Sequence, residues 1–160
     1  VVPFNTYKTK LRRLYMRILI DADGCPVVNE TIKVAHKFNL ESIIFCDTSH
    51  NFDQKNVKVI VVSKGVDAVD FAILNNIQKG DIVITQDYGL ASLVLSRNSY
   101  AINQSGMVYT NENIDELLYS RYISKKMRNS GARLKGPKKR DKSQNIIFRE
   151  NLEKLILKII

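Results

Sequence analysis

Short apolar runs alternate with longer segments of mixed character along the chain. The runs are rich in Val and Ile, which is typical of buried β-strands. They predict strands at residues 18–20, 43–46, 57–62, 82–85 and 100–102. A further short β segment is predicted near residues 107–109. Because the runs are apolar almost throughout, we expect helices to cover both faces of the sheet.

Apolar residues between these runs recur at the spacing of an amphipathic helix. Pro26 suits the first turn of a helix, where its missing N–H costs nothing, and Ile32, Val34, Ala35 and Phe38 then form one buried face. The predicted helices cover residues 26–38, 66–77, 88–95, 113–127 and 144–157. Strands that alternate with helices predict an α/β protein, with a mostly parallel sheet of about four or five strands sandwiched by helices.

The length of 160 residues suffices for one domain with its own core, which we expect to span residues 16–160. Residues 1–15 precede a natural-looking start at Met16 and are expected to be an extension. No apolar run approaches the roughly 18 residues of a membrane span. The two cysteines form neither a disulfide framework nor a metal-binding pair, so we expect a reducing, cytoplasmic location.

Five aspartates fall where a parallel sheet would gather them. Asp21 and Asp23 follow the first strand, Asp67 and Asp70 lie in the first turns of a helix, and Asp87 follows the fourth strand. Neighbouring carboxylates repel each other unless a cation neutralises them, and oxygen ligands suit Mg²⁺ or Mn²⁺. The sequence therefore predicts a divalent metal site made of all five. Asp21, Asp70 and Asp87 are the predicted catalytic residues of phosphodiester hydrolysis.

Several of these residues also have simpler interpretations. Aspartates near helix N-termini commonly cap unpaired N–H groups, which applies to Asp67 and Asp87 taken singly. Asp81 is expected to be a turn residue. His50, in the loop after the second strand, is expected to form hydrogen bonds and to contact substrate rather than to act as a catalyst. Cys25 has no evident base partner, so packing is favoured over nucleophilic chemistry.

The net charge of +9 is distributed unevenly. Residues 17–120 carry −5, whereas residues 121–142, which we call the basic segment, carry +9 from ten cations and one acid. The part from about residue 125 to 142 is predicted to be a loop. A cationic segment attached to an acidic body favours binding of a nucleic acid, with RNA as the first expectation, through its phosphates. The predicted phosphate contacts are Arg133, Lys135 and Lys138.

Five motifs occur in order along the chain. They are DADGCPV at 21–27, DTSHN at 47–51, GVDAVD at 65–70, GDIVITQDYGLA at 80–91 and GARLKGP at 131–137. Together they resemble the successive signatures of the bacterial YaiI/YqxD family, over a match that runs from about Met16 to the C-terminus. That family resembles PIN-like domains, which have a parallel sheet between helices and are often metal-dependent nucleases.

The resemblance implies roles for individual residues. Asp21, Asp87 and either Asp70 or Asp67 would take the metal-binding positions. Thr85 would be the threonine of a strand-end Thr-x-Asp motif at the substrate. One departure is the lack of a later acid in the usual downstream position, so either Asp23 replaces it or the metal set is incomplete.

Two alternatives remain open from the sequence. The Asp21-Ala-Asp-Gly24 run also resembles the start of haloacid-dehalogenase-like phosphatases, in which Asp21 would be the nucleophile. Ser63 and Lys64 would then be the later phosphate-binding residues, although Gly80-Asp81 precedes its strand rather than following it. The second alternative is a non-catalytic nucleic-acid-binding protein that keeps the sheet without turnover.

Overall fold

The structure is a computed structural model that describes residue 11 and residues 15–160. Most of the predicted extension at residues 1–15 therefore lies outside the described residues. One sheet contains five parallel strands, in the order β3-β2-β1-β4-β5. The strands are β1 (Arg17–Asp21), β2 (Glu41–Asp47), β3 (Lys58–Val62), β4 (Ile82–Ile84) and β5 (Tyr100–Ile102). The predicted α/β class and the parallel sheet are confirmed.

Helices follow the strands as predicted, with shifts of a few residues at their ends. They are α1 (Val28–Phe38), α2 (Ala68–Asn76), α3 (Tyr88–Ser96), α4 (Asn111–Asn129) and α5 (Lys142–Ile159). The first helix begins at Val28 rather than at Pro26. The predicted β segment at residues 107–109 is reduced to one isolated antiparallel bridge between Ile102 and Val108.

The helix that enters the basic segment ends two residues after its predicted end at residue 127. The loop expected from about residue 125 begins only after α4 ends at Asn129. Gly131 has a φ of +93° and donates its N–H to Arg128, while Ala132 donates to Met127. This is the Schellman pattern of a helix end. Lysine, arginine and methionine are good helix formers, so the helix continues until a glycine can adopt the left-handed conformation.

Successive side chains of each strand enter two separate cores. Ile18 and Ile20 of β1 belong to the core beneath α1 and α5, where Phe148 is fully buried. Leu19 belongs to the opposite core, beneath α2 and α3, together with Ile73. Complete burial of such side chains contributes about 1.5–3 kcal/mol each. The central strands are therefore held firmly from both sides, which fixes the positions of their ends.

The connectivity places β1 at the point where the strand order reverses. The chain passes from β1 through α1 to β2 on one side, and from β3 through α2 to β4 on the other side of β1. The carboxyl ends of β1 and β4 thus flank a topological switch point, where open α/β sheets bind ligands. Among the described residues, no helix is long and apolar enough to cross a membrane.

Candidate functional site

An open pocket of about 450 Å³ lies at this switch point. Its lining comes from the ends of β1 and β4, the start of α3 and the middle of α4. The lining residues are Asp21, Asp23, Gly24, Gln86, Asp87, Tyr88 and Arg121. The structure therefore brings three of the predicted acidic residues into one concave site, together with a cation from a distant part of the chain.

Thr85 connects two of the pocket's carboxylates. Its hydroxyl donates to Asp21 Oδ2 at 2.7 Å and accepts from the backbone N–H of Asp87 at 3.0 Å. Asp87 Oδ1 in turn caps α3 by accepting from Leu90 N at 2.9 Å. The Thr85 side chain is buried, and Tyr109 donates to its carbonyl at 3.2 Å. These contacts indicate that Thr85 positions Asp21 and Asp87, whereas the sequence predicted a contact with substrate.

Asp21 and Asp87 form no ion pair with any of the described cations, and the pKa of Asp21 is raised. Burial raises the pKa of Asp21 to about 6, and the nearby charges of Asp23 and Asp87 add to the rise against the Thr85 hydrogen bond. Burial also raises the pKa of Asp70 to about 6, with further contributions from Asp87, Asp21 and Asp67. The charges of Asp21 and Asp87, which follow β1 and β4, therefore also act on Asp70 in α2.

The remaining oxygen atoms of this group suit a hard divalent cation. Asp21 Oδ1, Asp87 Oδ2 and both carboxylate oxygens of Asp70 form no hydrogen bond with any of the described residues. Mg²⁺ and Mn²⁺ take carboxylate oxygens and complete their coordination with water and phosphate. Partly buried, mutually repelling carboxylates with unused oxygens therefore fit such an ion.

Asp67 contributes less than predicted from its spacing with Asp70. It occupies the N-cap position of α2 in the left-handed conformation, with a φ of +60°, and its side chain makes no cap hydrogen bond. The cap role considered for Asp67 is therefore wrong, whereas the cap role considered for Asp87 is confirmed. Asp67 is exposed and acts on Asp70 through its charge.

Asp23 turns toward the end of β2 and joins a second group. His50 Nδ1 lies 2.9 Å from Asp23 Oδ1 and 3.3 Å from Asp47 Oδ1. The backbone N–H of Asp47 also donates to Asp23, at 3.3 Å. One potential ligand atom from each of the three residues lies within 4.8 Å of the other two, so they could hold a metal ion. His50 thus neighbours the pocket, and Asp47 joins Asp23 although the sequence prediction omitted it.

A tight turn carries the chain from β1 past the pocket. Cys25 N donates to the carbonyl of Ala22 at 3.1 Å, and Gly24 has a φ of +71°. A left-handed residue at this place in the turn favours glycine, because a side chain there would strain the backbone. Burial raises the pKa of Cys25 to about 11. The thiol therefore stays protonated and packs against the core, as expected.

The cations of the basic segment occupy different places. Arg121 lines the pocket, and Arg140, at the other end, lies close enough to Cys25 to act on its pKa. The predicted phosphate contacts at Arg133, Lys135 and Lys138 are exposed in the loop after α4 and are not among the lining residues. The sequence singled out these three and missed Arg121, since nothing local marks one arginine within a helix as facing a distant strand end.

Asp81 lies at the opposite edge of the sheet. It closes a turn as predicted, since its backbone N–H donates to the carbonyl of Gln78 at 3.0 Å. It is also fully buried and forms an ion pair with Arg17 at 2.6 Å, which the sequence did not predict because this partner is 64 residues away. The distant position of Asp81 also weakens the phosphatase alternative, since Gly80-Asp81 does not reach the pocket with Asp21.

These features define a class: an α/β protein with a parallel sheet and a candidate metal centre at its topological switch point. Within that class, the chain belongs to the YaiI/YqxD family. The family model described as "Uncharacterized BCR, YaiI/YqxD family" matches residues 19–158. The resemblance predicted from the five motifs is therefore confirmed.

Relatives share most of the chain. A UPF0178 protein of Exiguobacterium sibiricum is 48% identical over 141 residues, which cover 88% of this chain and 96% of the relative. UPF0178 proteins of Clostridium kluyveri and Clostridium tetani are each 46% identical, covering 89% and 88% of this chain and 93% and 97% of theirs. The name states no activity. No solved structure matches the chain, so the PIN-like resemblance stays a prediction from the motifs.

Proposed function

We propose that the protein is a divalent-metal-dependent nuclease that hydrolyses phosphodiester bonds in RNA or DNA. The observation that carries this proposal is the group formed by Asp21, Asp70 and Asp87, which we call the acidic triad. Its members come from three separate elements and keep unused carboxylate oxygens at a topological switch point, and the charge of Asp87 helps to raise the pKa values of Asp21 and Asp70. Such repulsion costs stability, which a purely structural cluster would have no reason to retain.

The triad would hold Mg²⁺ or Mn²⁺ through its unused oxygens. When bound, such an ion activates water and neutralises the charge that develops on phosphate oxygens. Thr85 fixes Asp21 and Asp87 relative to each other through two hydrogen bonds, so the ligand geometry is set before any cation arrives. Arg121, the cation that lines the pocket, supplies positive charge toward a phosphate group.

The first test is metal binding by the unmodified protein. At a free Mn²⁺ concentration one hundred times its Kd, the unfolding free energy should rise by about 2.7 kcal/mol. Asp21→Asn should abolish most of this rise, whereas Asp115→Asn, an exposed aspartate of α4 with the same charge change, should not. If wild type and both variants melt identically with and without Mn²⁺, the metal site does not exist.

The second test is cleavage of labelled RNA and DNA oligonucleotides. We expect cleavage that requires Mn²⁺ or Mg²⁺, is lost in Asp21→Asn and Asp87→Asn, and is retained in Asp115→Asn. Metal binding without any cleavage would instead favour the non-catalytic nucleic-acid-binding alternative. A stable covalent adduct at Asp21 with an aspartyl-phosphate mimic would favour the phosphatase alternative.

A further inference from the structure

The second half of α4 carries a face of cations without partners. Arg121, Lys125 and Arg128 are spaced four and three residues apart, so their side chains lie on one side of the helix. Within the described residues, none of the three forms an ion pair or a side-chain hydrogen bond. By contrast, Arg17 and Lys37, outside the basic segment, are paired with Asp81 and Glu153. The α4 cations are therefore available to a ligand.

This face continues a row of α4 side chains that packs on the body of the protein. Leu117 and Ile114 occupy the same face one and two turns earlier than Arg121, and they pack into the core beneath α2 and α3. Arg121 continues the row and lines the acidic pocket. At a rise of 1.5 Å per residue, Lys125 and Arg128 extend it by about 10 Å beyond Arg121. The row thus begins at the pocket and leads outward.

Helix electrostatics explains only part of this arrangement. The acids of α4 all lie in its first half, at Glu112, Asp115 and Glu116, and cations near a helix C-terminus interact favourably with the dipole. That effect is confined to the last turn, which contains Arg128. It does not account for Arg121 or Lys125, which lie earlier in the helix.

An aromatic side chain borders the row of cations. Tyr122 on α4 is 60% exposed and lies three residues before Lys125, so the two side chains are neighbours on the helix surface. Tyr88 lies in the pocket itself. Cations along a backbone path with exposed aromatic rings beside them are the features that single-stranded nucleic acids use, since phosphates pair with the cations and unpaired bases stack on the rings.

We propose that α4 is the track for single-stranded nucleic acid at the acidic pocket. Arg121 contacts the phosphate beside the triad, Lys125 and Arg128 contact the phosphates that follow, and Tyr122 offers a stacking surface. This inference rests on the proposed function, because the triad marks where the strand meets the pocket. It moves the main phosphate contacts from the loop at Arg133, Lys135 and Lys138 to the helix.

The experiment compares three triple-alanine variants that each remove three positive charges. They are R121A/K125A/R128A on the track, R133A/K135A/K138A in the loop, and K55A/K58A/K154A, exposed elsewhere. Binding of a fluorescent single-stranded oligonucleotide is measured in EDTA over a range of salt concentrations. Because no cleavage is involved, the result is independent of turnover. Circular dichroism confirms folding, which alanine in an exposed helix should preserve.

We expect the track variant to bind the oligonucleotide roughly tenfold more weakly, or weaker still. Its slope of log Kd against log salt concentration should be lower than that of wild type by about 2, which is about 0.7 for each lost phosphate contact. The loop variant should lose less, and the third should resemble wild type. Tyr122→Ala should weaken binding of the single strand without changing the salt slope. Equal losses in all three triples, or equal affinity for a duplex of the same sequence, would overturn the proposal. If the variants change binding as expected but the wild-type protein shows no nuclease activity, the proposed function is refuted and the track on α4 is not.

Discussion

Aspartates at the amino ends and at the carboxyl ends of the parallel strands have opposite environments. We call these two sides of the sheet the amino edge and the carboxyl edge. At the amino edge, Asp81 is fully buried, and Arg17 donates to it from its backbone N–H, Nε and Nη2. At the carboxyl edge, Asp21 is partly buried with only a hydroxyl donor and two neighbouring negative charges. Arg17 and Asp21 are the two ends of one strand, β1.

The difference separates a structural acid from a functional one. A buried carboxylate with a bidentate arginine partner is satisfied and holds two strands in register. A carboxylate whose pKa is raised by burial and by like charges is unsatisfied until a cation arrives. The amino edge therefore contributes to stability, whereas the carboxyl edge sacrifices stability for a binding site.

Removing the partner of Asp81 should be the most damaging change. Arg17→Ala leaves a fully buried carboxylate without its cation, so we expect a loss of about 3–5 kcal/mol in the free energy of unfolding. Urea denaturation measures the loss. Arg17→Lys keeps the charge but not the fork of donors and should lose less. A loss below about 1 kcal/mol for Arg17→Ala would show that the two edges do not differ in this way.

Adding a divalent cation should act only on the carboxyl edge. At one hundred times its Kd, Mn²⁺ should raise the unfolding free energy by about 2.7 kcal/mol in wild type and equally in Arg17→Lys. The increment should disappear in Asp87→Asn. Urea denaturation with and without Mn²⁺ measures this change in the free energy of unfolding. An increment that depends on Arg17 but not on Asp87 would invert the assignment of the two edges.

Neutralising Asp21 should stabilise the metal-free protein, the reverse of the Arg17 result. Its pKa of about 6 lies above the ordinary value of 3.8, so the ionised side chain destabilises the fold. This loss of stability is absent below pH 3.8, grows as the pH rises to 6 and is complete above pH 6. We expect Asp21→Asn to be about 1–2 kcal/mol more stable than wild type at pH 7.5 in EDTA, and no more stable at pH 4. Chemical denaturation at the two pH values measures this. A variant that is less stable than wild type at both would show that Asp21 is structural.

The His50 group should produce the smallest effect. His50 is half exposed, and its contacts with Asp23 and Asp47 resemble surface ion pairs. His50→Gln should therefore change the unfolding free energy by less than about 1 kcal/mol. It should leave Mn²⁺ stabilisation by the triad in place. If Mn²⁺ stabilisation vanished in His50→Gln but persisted in Asp87→Asn, the metal would bind at Asp23, Asp47 and His50 instead.

Local pattern was sufficient for the elements of the fold. The Val- and Ile-rich runs predicted all five strands, because a strand covered on both faces needs apolar side chains at every position. Asp21 and Asp87 were predicted at strand ends because parallel strands end at one edge. Gly131 marks the end of α4 two residues beyond the predicted end at residue 127, because a run of cations is compatible with a helix as well as with a loop.

Tertiary structure decided the partners of these residues. The pairing of Asp81 with Arg17, the entry of Arg121 into the pocket and the contact of Asp23 with His50 join residues far apart in the chain. Local sequence preferences specify which segments form strands and helices, since those preferences act over a few neighbouring positions. Whether a given carboxylate meets a cation or another carboxylate depends on strand order and helix placement, which arise only when the whole core packs.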